Sequence, residues 1–535
     1  MRTNNIASNA DLRLPDIQTV LDELMAIRVD MVSDVAKSRA RLDRVDPNFC
    51  DSARNLLHYL AIRRRDLRPL QLRLAALGFS SLGRAESHVL ATVDAVLAAL
   101  HRLAGTTWQP PHDETAVVDF ASGERLLAEH AEGVLGASTP GRGVRIMVPM
   151  PSEAADDYAL VHNLLQEGMN CMRINCAHDD SAAWLQMIEH LRRAEPVLTR
   201  TCRVVMDLAG PKLRTGPIEP GPAVLRIKPK RDVCGRVISA AKVYLTSEDS
   251  PYNANAPRGT LIPVPAKWLA RLRIGATLQL TDARGAKRTL TVVEVGGSHC
   301  VAEAMKTTYI VPGTVLIHDQ KGATKEEREA AVGGLPPIEG TIFLQQCDLL
   351  VLTRNLNPGR AATIDPAGQT LTPAEIGCTM PEVFDDICQG ESIWFDDGKI
   401  GGFVEKIGNE HILVRITQAR LKGEKLRADK GINLPETGLR LSALTAKDVE
   451  DLSFVAHHAD VVELSFANTP QDVELLQQHL TRLGGPLPAI VLKIETRRGF
   501  EHLPDMLLTA MQAPRCGVMI ARGDLAVECG FERLA

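Results

Sequence analysis

Two blocks of short apolar strands alternating with amphipathic helices constrain this chain more than any other feature. The first reads as a strand Val144 to Val148, a helix Asp156 to Glu167 capped by Gly168, a strand Cys171 to Cys176, a helix Ala182 to Arg193 and a strand Arg203 to Asp207. The second runs helix Ala446 to His457, strand Val461 to Leu464, helix Pro470 to Leu483, strand Ile490 to Ile494, helix Gly499 to Leu508 and strand Gly517 to Ile520. Strands joined by helices lie parallel, so about six parallel strands are expected, an α/β fold. Six strands suit an open doubly wound sheet, or a (β/α)8-type barrel short of its last two units. Periodicity alone does not separate the two.

The rest of the chain has a different grammar. From Asp16 to about Leu103, apolar residues recur at helical spacing (Ile17, Val20, Leu21, Leu24, then Leu56, Leu57, Leu60, then Leu90, Val93, Leu97, Leu100), which predicts a small helical bundle. Arg63 to Arg65, followed by Asp66, reads as a solvated helix face rather than a phosphate patch. The cluster of Pro110, Pro111, Pro140, Gly141 and Gly143 brackets a short helical segment that resembles a linker. Between the two blocks, turn-linked strands such as Thr277 to Thr281 and Arg288 to Val295 predict an inserted β-rich domain. The expected divisions are 1–141, 142–216, 217–435 and 436–535.

Composition excludes several functions. With 61 Lys+Arg against 66 Asp+Glu, the formal net charge of -5 speaks against nucleic acid as a partner. No apolar run reaches the roughly 18 residues of a membrane helix, and the polar start from Met1 to Asp16 argues against a secretory or transit signal. A cytoplasmic location is expected, with Cys171, Cys176, Cys202, Cys300 and Cys516 as buried reduced thiols. His457 and His458 lack further ligands at zinc spacing, and no GxxxxGK[ST] phosphate loop occurs. Nothing in the sequence reports oligomeric state.

The polar residues gather where strands end. Arg173, Asn175 and His178 follow the second strand, Asp207, Lys212 and Arg214 the third, Lys493 and Glu495 the fifth, and Arg522, Gly523 and Asp524 the sixth. In a barrel, chemistry sits at those carboxyl ends. Alternation sends Lys493 and Glu495 to one side. Carboxylates from neighbouring strands suit Mg²⁺, and the cations beside them suit a substrate carrying phosphate or carboxylate. One or two such residues could be structural salt bridges; so many converging at one end favours function.

These residues carry a resemblance. Glu167-Gly168-Met169-Asn170 with Met172-Arg173-Ile174-Asn175-Cys176-Ala177-His178, and then Met206-Asp207-Leu208-Ala209-Gly210-Pro211-Lys212-Leu213-Arg214-Thr215-Gly216, resemble the first signatures of the pyruvate kinase family. Trp394-Phe395-Asp396-Asp397-Gly398-Lys399-Ile400, Asp429 to Pro435, Leu492 to Glu495 and Met519 to Leu525 continue the series in the family's order. The resemblance covers about Arg142 onward. It implies phosphoryl transfer from phosphoenolpyruvate to ADP, giving pyruvate and ATP. Glu495 and Asp524 would hold Mg²⁺ (or Mn²⁺), and Lys493 would sit on the moving phosphoryl group and then on the enolate. Arg173 would grip phosphate, with Asn175, His178 and Arg214 on the phosphate and nucleotide side. The backbone of Arg522-Gly523-Asp524 would meet the substrate carboxylate, and Asp397 would arrive with the inserted domain as that domain closes like a lid.

The departures from the family pattern also carry expectations. Ala177 stands where the family commonly has serine, Leu208-Ala209 where it has threonine-lysine, and Lys212 where it has glutamate. K⁺ would thus not be required, with Lys212 supplying an internal cation near Asn175 and Asp207. The inserted domain is longer than usual, with no family pattern in Pro336 to Leu371. The family's seventh and eighth strands, its enolate-protonating threonine and its C-terminal domain do not follow before Ala535, which implies an incomplete barrel and leaves open whether this chain is active by itself. Two other functions compete: a metal-enolate lyase or aldolase of the pyruvate type, and a catalytically dead regulatory or interaction protein working through its N-terminal bundle.

Overall fold

The computed structural model describes residues 16–79, 82–111, 117–248, 261–296, 299–318 and 324–534. The polar start, apart from Asp16, lies outside the described residues. Two compact units divide the chain, one of residues 1–213, 382–398 and 431–535, the other of residues 214–381 and 399–430.

The first unit is built on six parallel strands in chain order: β1 (Met147–Pro149), β2 (Cys171–Asn175), β3 (Arg203–Asp207), β4 (Val461–Leu464), β5 (Ala489–Ile494) and β6 (Cys516–Ile520). Asn175 pairs with Asp207 and Asp207 with Glu463, so the strand ends align. Helices α6 (Tyr158–Gln166), α7 (Ser181–Leu198), α8 (Ala446–His458), α9 (Pro470–Leu483) and α10 (Leu503–Ala510) supply the crossovers. Asp157, Asp180, Thr445 and Thr469 cap the first four of these by accepting N–H groups of the first turn. Met172, Ile174, Val204, Met206, Val462, Leu464, Ile490 and Leu492 pack onto those helices through Leu165, Trp184, Leu191, Leu452 and Leu476. At β6, Val518 and Ile520 on the corresponding face remain exposed.

The N-terminal helices α1 (Ile17–Lys37), α2 (Cys50–Arg63), α3 (Arg68–Ala76) and α4 (Val89–Leu103) share a core of Val20, Leu24, Ile27, Leu70, Leu74, Val93 and Leu97, with Arg28 and Asp94 ion-paired at 2.7 Å inside it. Arg64 and Arg65 lie on an exposed face, paired with Asp34 and Asp30. Val45 and Phe49 join this bundle to the helical face of the sheet. The helical segment expected between the proline clusters is α5 (Phe120–Leu135), with a capping box at Asp119. Its last turn puts Val134 and Leu135 against Cys171, Val205, Val461, Ala489 and Val491, on the sheet face opposite the helices and at the strands' amino ends. Burial of that tip gives a short helix its reason to persist.

Among the described residues, two larger sheets lie wholly or partly in the second unit, beside four two-stranded ones. One has seven strands, ordered 329–331, 315–318, 277–281, 287–295, 299–304, 241–247 and 261–264, around Val243, Leu245, Leu278, Leu290, Val292 and Leu316. The other includes neighbouring strands 374–377, 349–353, 411–418 and 400–407. The first sheet hangs on two adjacent stretches, since Gly221 N–H donates to Ile338 O at 2.9 Å and Ile338 N–H to Pro222 O at 3.2 Å. A segment whose ends meet in this way can be accommodated with little effect on its host. Residues 382–398 and 431–435, expected in the inserted domain, belong to the first unit.

Candidate active site

Alternation along β2 to β5 decides which side chains can meet. The face away from the helices carries Cys171, Val205, Val461, Ala489 and Val491 at the amino ends. Two residues further along each strand come Arg173, Asp207, Glu463 and Lys493, with Ser465 and Glu495 just beyond. The α5 tip covers the apolar layer, and the charged layer stands above it.

That layer is tightly connected. Arg173 Nε donates to Glu463 Oε2 at 2.7 Å, and its Nη2 donates to Asp207 Oδ2. Lys493 Nζ donates to Ser465 Oγ at 2.8 Å and lies 3.0 Å from both Asp207 Oδ1 and Glu495 Oε1. Ser465 Oγ in turn donates to Asp207 Oδ1 at 3.1 Å, and the Phe466 N–H donates to Glu495 Oε2 at 2.7 Å. Phe466 holds a φ of +53°, a strained conformation for a bulky residue and a mark of functional sites. Gly210, at φ +63°, lets the loop after β3 press on this turn: a Cβ there would lie 2.8 Å from Ser465 Cβ.

Burial raises the Glu495 carboxyl above the ordinary range; Lys493 and the Phe466 N–H oppose this, while the nearby Asp524 carboxylate adds to it. Burial works against the Lys493 ammonium, yet Glu495 and Asp207 outweigh it and its pKa rises. Glu463 is raised by burial despite Arg173.

At the rim, helix α11 (Arg522–Cys529) begins immediately after β6, so Arg522, Gly523 and Asp524 form its first turn, where backbone N–H groups lack helical partners. A Cβ on Gly523 would meet nothing within 4 Å. Asp396, Asp397 and Gly398 all have positive φ, and Gly398 abuts Val527 of α11. Asp397, expected to travel with the inserted domain, is thus part of the first unit and exposed. Asn175 Oδ1 accepts the Ala177 N–H, and His178 is exposed in the same loop.

Two further expected placements differ. Lys212, expected beside Asn175 and Asp207, lies 3.5 Å from Asp524 Oδ1, while Asp207 is occupied by Arg173, Lys493 and Ser465. The chain reverses at Gly210, where the Lys212 N–H donates to Gly210 O, and this carries the ammonium away from β3. Arg214 falls in the second unit, donating to Asp429 O at 3.2 Å. Glu463 and Ser465 went unnoticed in the sequence. Their signal was present: Val461, Glu463 and Ser465 alternate onto the face that carries Asp207 and Lys493.

Among the described residues no group of three or more His, Cys, Asp or Glu side chains could hold a metal. Two carboxylates remain, Glu495 and Asp524, close enough that one raises the pKa of the other. Two carboxylates at adjacent strand ends fit Mg²⁺, which takes one or two protein oxygens and draws the rest from substrate and water.

Six parallel strands with cations and carboxylates at their carboxyl ends define an α/β domain with a charged layer at one end of its sheet. The family model "Pyruvate kinase, barrel domain" matches residues 142–249 and 355–535. The chain belongs to the pyruvate kinase family. Similar proteins include "Pyruvate kinase" of Mycobacterium tuberculosis (strain ATCC 25618 / H37Rv), 32% identical over 160 residues, 30% of this chain and 32% of that protein. "Pyruvate kinase" of Clostridium acetobutylicum is 32% identical over 154 residues, 29% of this chain and 31% of the relative. "Pyruvate kinase PKLR" of Homo sapiens is 32% identical over 174 residues, 32% of this chain and 29% of the relative. The chain thus aligns with about a third of the length of each. Most of the seven-stranded sheet falls between the two matched stretches, in residues 250–354, which also take in part of Pro336 to Leu371.

Proposed function

We propose that this chain transfers a phosphoryl group between phosphoenolpyruvate and ADP in a Mg²⁺-dependent, K⁺-independent reaction, and that its six strands are part of a (β/α)8-type barrel. The observation that carries this is the layer of Arg173, Asp207, Lys493 and Glu495 with Asp524 beside it. Phosphoryl transfer depends mainly on positioning and charge neutralisation, which such a layer can supply.

Arg173 commits two of its five N–H donors to Glu463 and Asp207, which leaves three for phosphate oxygens. Lys493 has an acceptor for each ammonium proton, so a phosphoryl or enolate oxygen would take the place of one of them, most readily Glu495 at the open end. Mg²⁺, held by Glu495 and Asp524, would supply positive charge against the phosphate and carboxylate oxygens. The first turn of α11 would offer N–H groups to the substrate carboxylate, and the bare flank of Gly523 would allow close approach. Asn175 and His178 would serve the phosphate and nucleotide side, and Asp397 the reacting groups from the turn beside α11.

K⁺-independence rests on side chains that offer no ligand oxygen: Ala177, Ala209 and Leu208, the last fully buried. Lys212 would keep a positive charge at the rim through Asp524. ATP formation from phosphoenolpyruvate and ADP, with Mg²⁺ and with or without K⁺, tests the proposal. Mg²⁺-dependent ATP formation unchanged by K⁺ is expected. Cleavage of a pyruvate-yielding carbon-carbon bond without ATP would favour the lyase.

A further inference from the structure

Glu463 is a carboxylate that neither the strand-end pattern nor the family resemblance picks out, yet it is 0% exposed in the middle of the charged layer. The ionisable groups facing it are Cys171 and Arg173 from β2, Asp207 from β3 and Lys493 from β5, with Glu495 of β5 acting on the same Arg173. Val134, Val205, Val461 and Val491 close the apolar space below. Its Oε2 accepts the Arg173 Nε–H, while Oε1 has no hydrogen-bond partner among the described residues. An ionised carboxylate with a bare buried oxygen is costly to keep.

The layer also carries an imbalance. Among the described residues, the ion pairs of Asp207, Glu463 and Glu495 are with Arg173 and Lys493 alone. Arg173 is therefore already over-neutralised before any anion reaches its remaining donors. A phosphate arriving there adds negative charge a few ångströms from Glu463. Protonating Oε1 relieves that repulsion and leaves the Nε–H···Oε2 bond intact.

We propose that Glu463 is a positioning residue for Arg173 that takes up a proton when a phosphate-bearing anion binds the guanidinium, and releases it when the anion leaves. The proton comes from solvent; one O–H bond forms on Oε1 and no other covalent bond changes. The inference rests on the proposed phosphoenolpyruvate reading. Burial, which lifts the Glu463 carboxyl above its ordinary range, acts in the required direction.

The test is calorimetric titration of the full chain with phosphoenolpyruvate and Mg²⁺, in pairs of buffers of different ionisation enthalpy, over a range of pH. The wild-type chain should take up more protons than Glu463→Gln, because the ligand's own ionisation is common to both. The excess should appear as affinity that tightens by up to about tenfold more per unit fall in pH. Glu463→Gln keeps an acceptor for Arg173 and should bind without that excess, whereas Glu463→Leu should bind more weakly at every pH. An infrared difference spectrum of the wild-type chain needs no variant and should gain a protonated-carboxyl band on binding. Equal proton uptake in wild type and Glu463→Gln, or no such band, would overturn the inference and leave the phosphoenolpyruvate reading standing. Failure of the wild-type chain to bind phosphoenolpyruvate would overturn that reading, and the inference with it.

Discussion

Lys493 illustrates how one residue can carry both stability and chemistry. Its ammonium donates to Ser465 and pairs with Asp207 and Glu495 at once, so Lys493→Met should leave two buried carboxylates without its charge. The expected outcome is a loss in kcat of about 10²- to 10³-fold together with a lower Tm, read by coupled assay and thermal melt. Glu463 points the other way. Because its pKa is raised in the folded chain, the folded state holds more protons than the unfolded one between the ordinary carboxylate value and the shifted one. Its contribution is therefore most favourable below the ordinary value and is lost as pH rises through the folded value. Glu463→Gln should accordingly gain stability over wild type at neutral and alkaline pH, and a melt across pH would detect it. Gly210→Ala would combine a left-handed φ with a clash on Ser465, and should cost about 1–3 kcal/mol in chemical denaturation while lowering kcat.

At the level of elements, the period of two on the strands made part of the site legible, since it sets Lys493 and Glu495 on one side. Glu463 escaped notice because Val461-Val462-Glu463-Leu464 reads as one apolar strand, and a lone carboxylate in it acquires meaning only beside Arg173 from another strand. The partner of Lys212 was not legible either, because it depends on the backbone reversal at Gly210. The α5 tip is a similar case: a helix between proline clusters resembles a linker until its last turn is seen against Val205 and Val461. Val134, only 5% exposed, makes that contact measurable. Val134→Ala should destabilise the first unit by about 2 kcal/mol, and Val134→Asp by more, in denaturant titrations followed by a probe in that unit.

At the scale of the whole molecule, the charge that looked nearly balanced by count is concentrated, with Arg173, Lys493 and Lys212 set against carboxylates at one end of a parallel sheet. The extra length of the inserted region is a sheet in its own right, entered and left at Gly221 and Ile338. The central claim is the use of that charged end for phosphoryl transfer. The most direct measurement is the initial rate of ATP formation from ADP, with phosphoenolpyruvate and Mg²⁺, by the full chain and by Lys493→Met. The account predicts a rate that requires phosphoenolpyruvate and Mg²⁺, is indifferent to K⁺ and is nearly abolished in the variant. A wild-type chain that forms no ATP and binds no phosphoenolpyruvate, or a Lys493→Met variant as active as wild type, would contradict it.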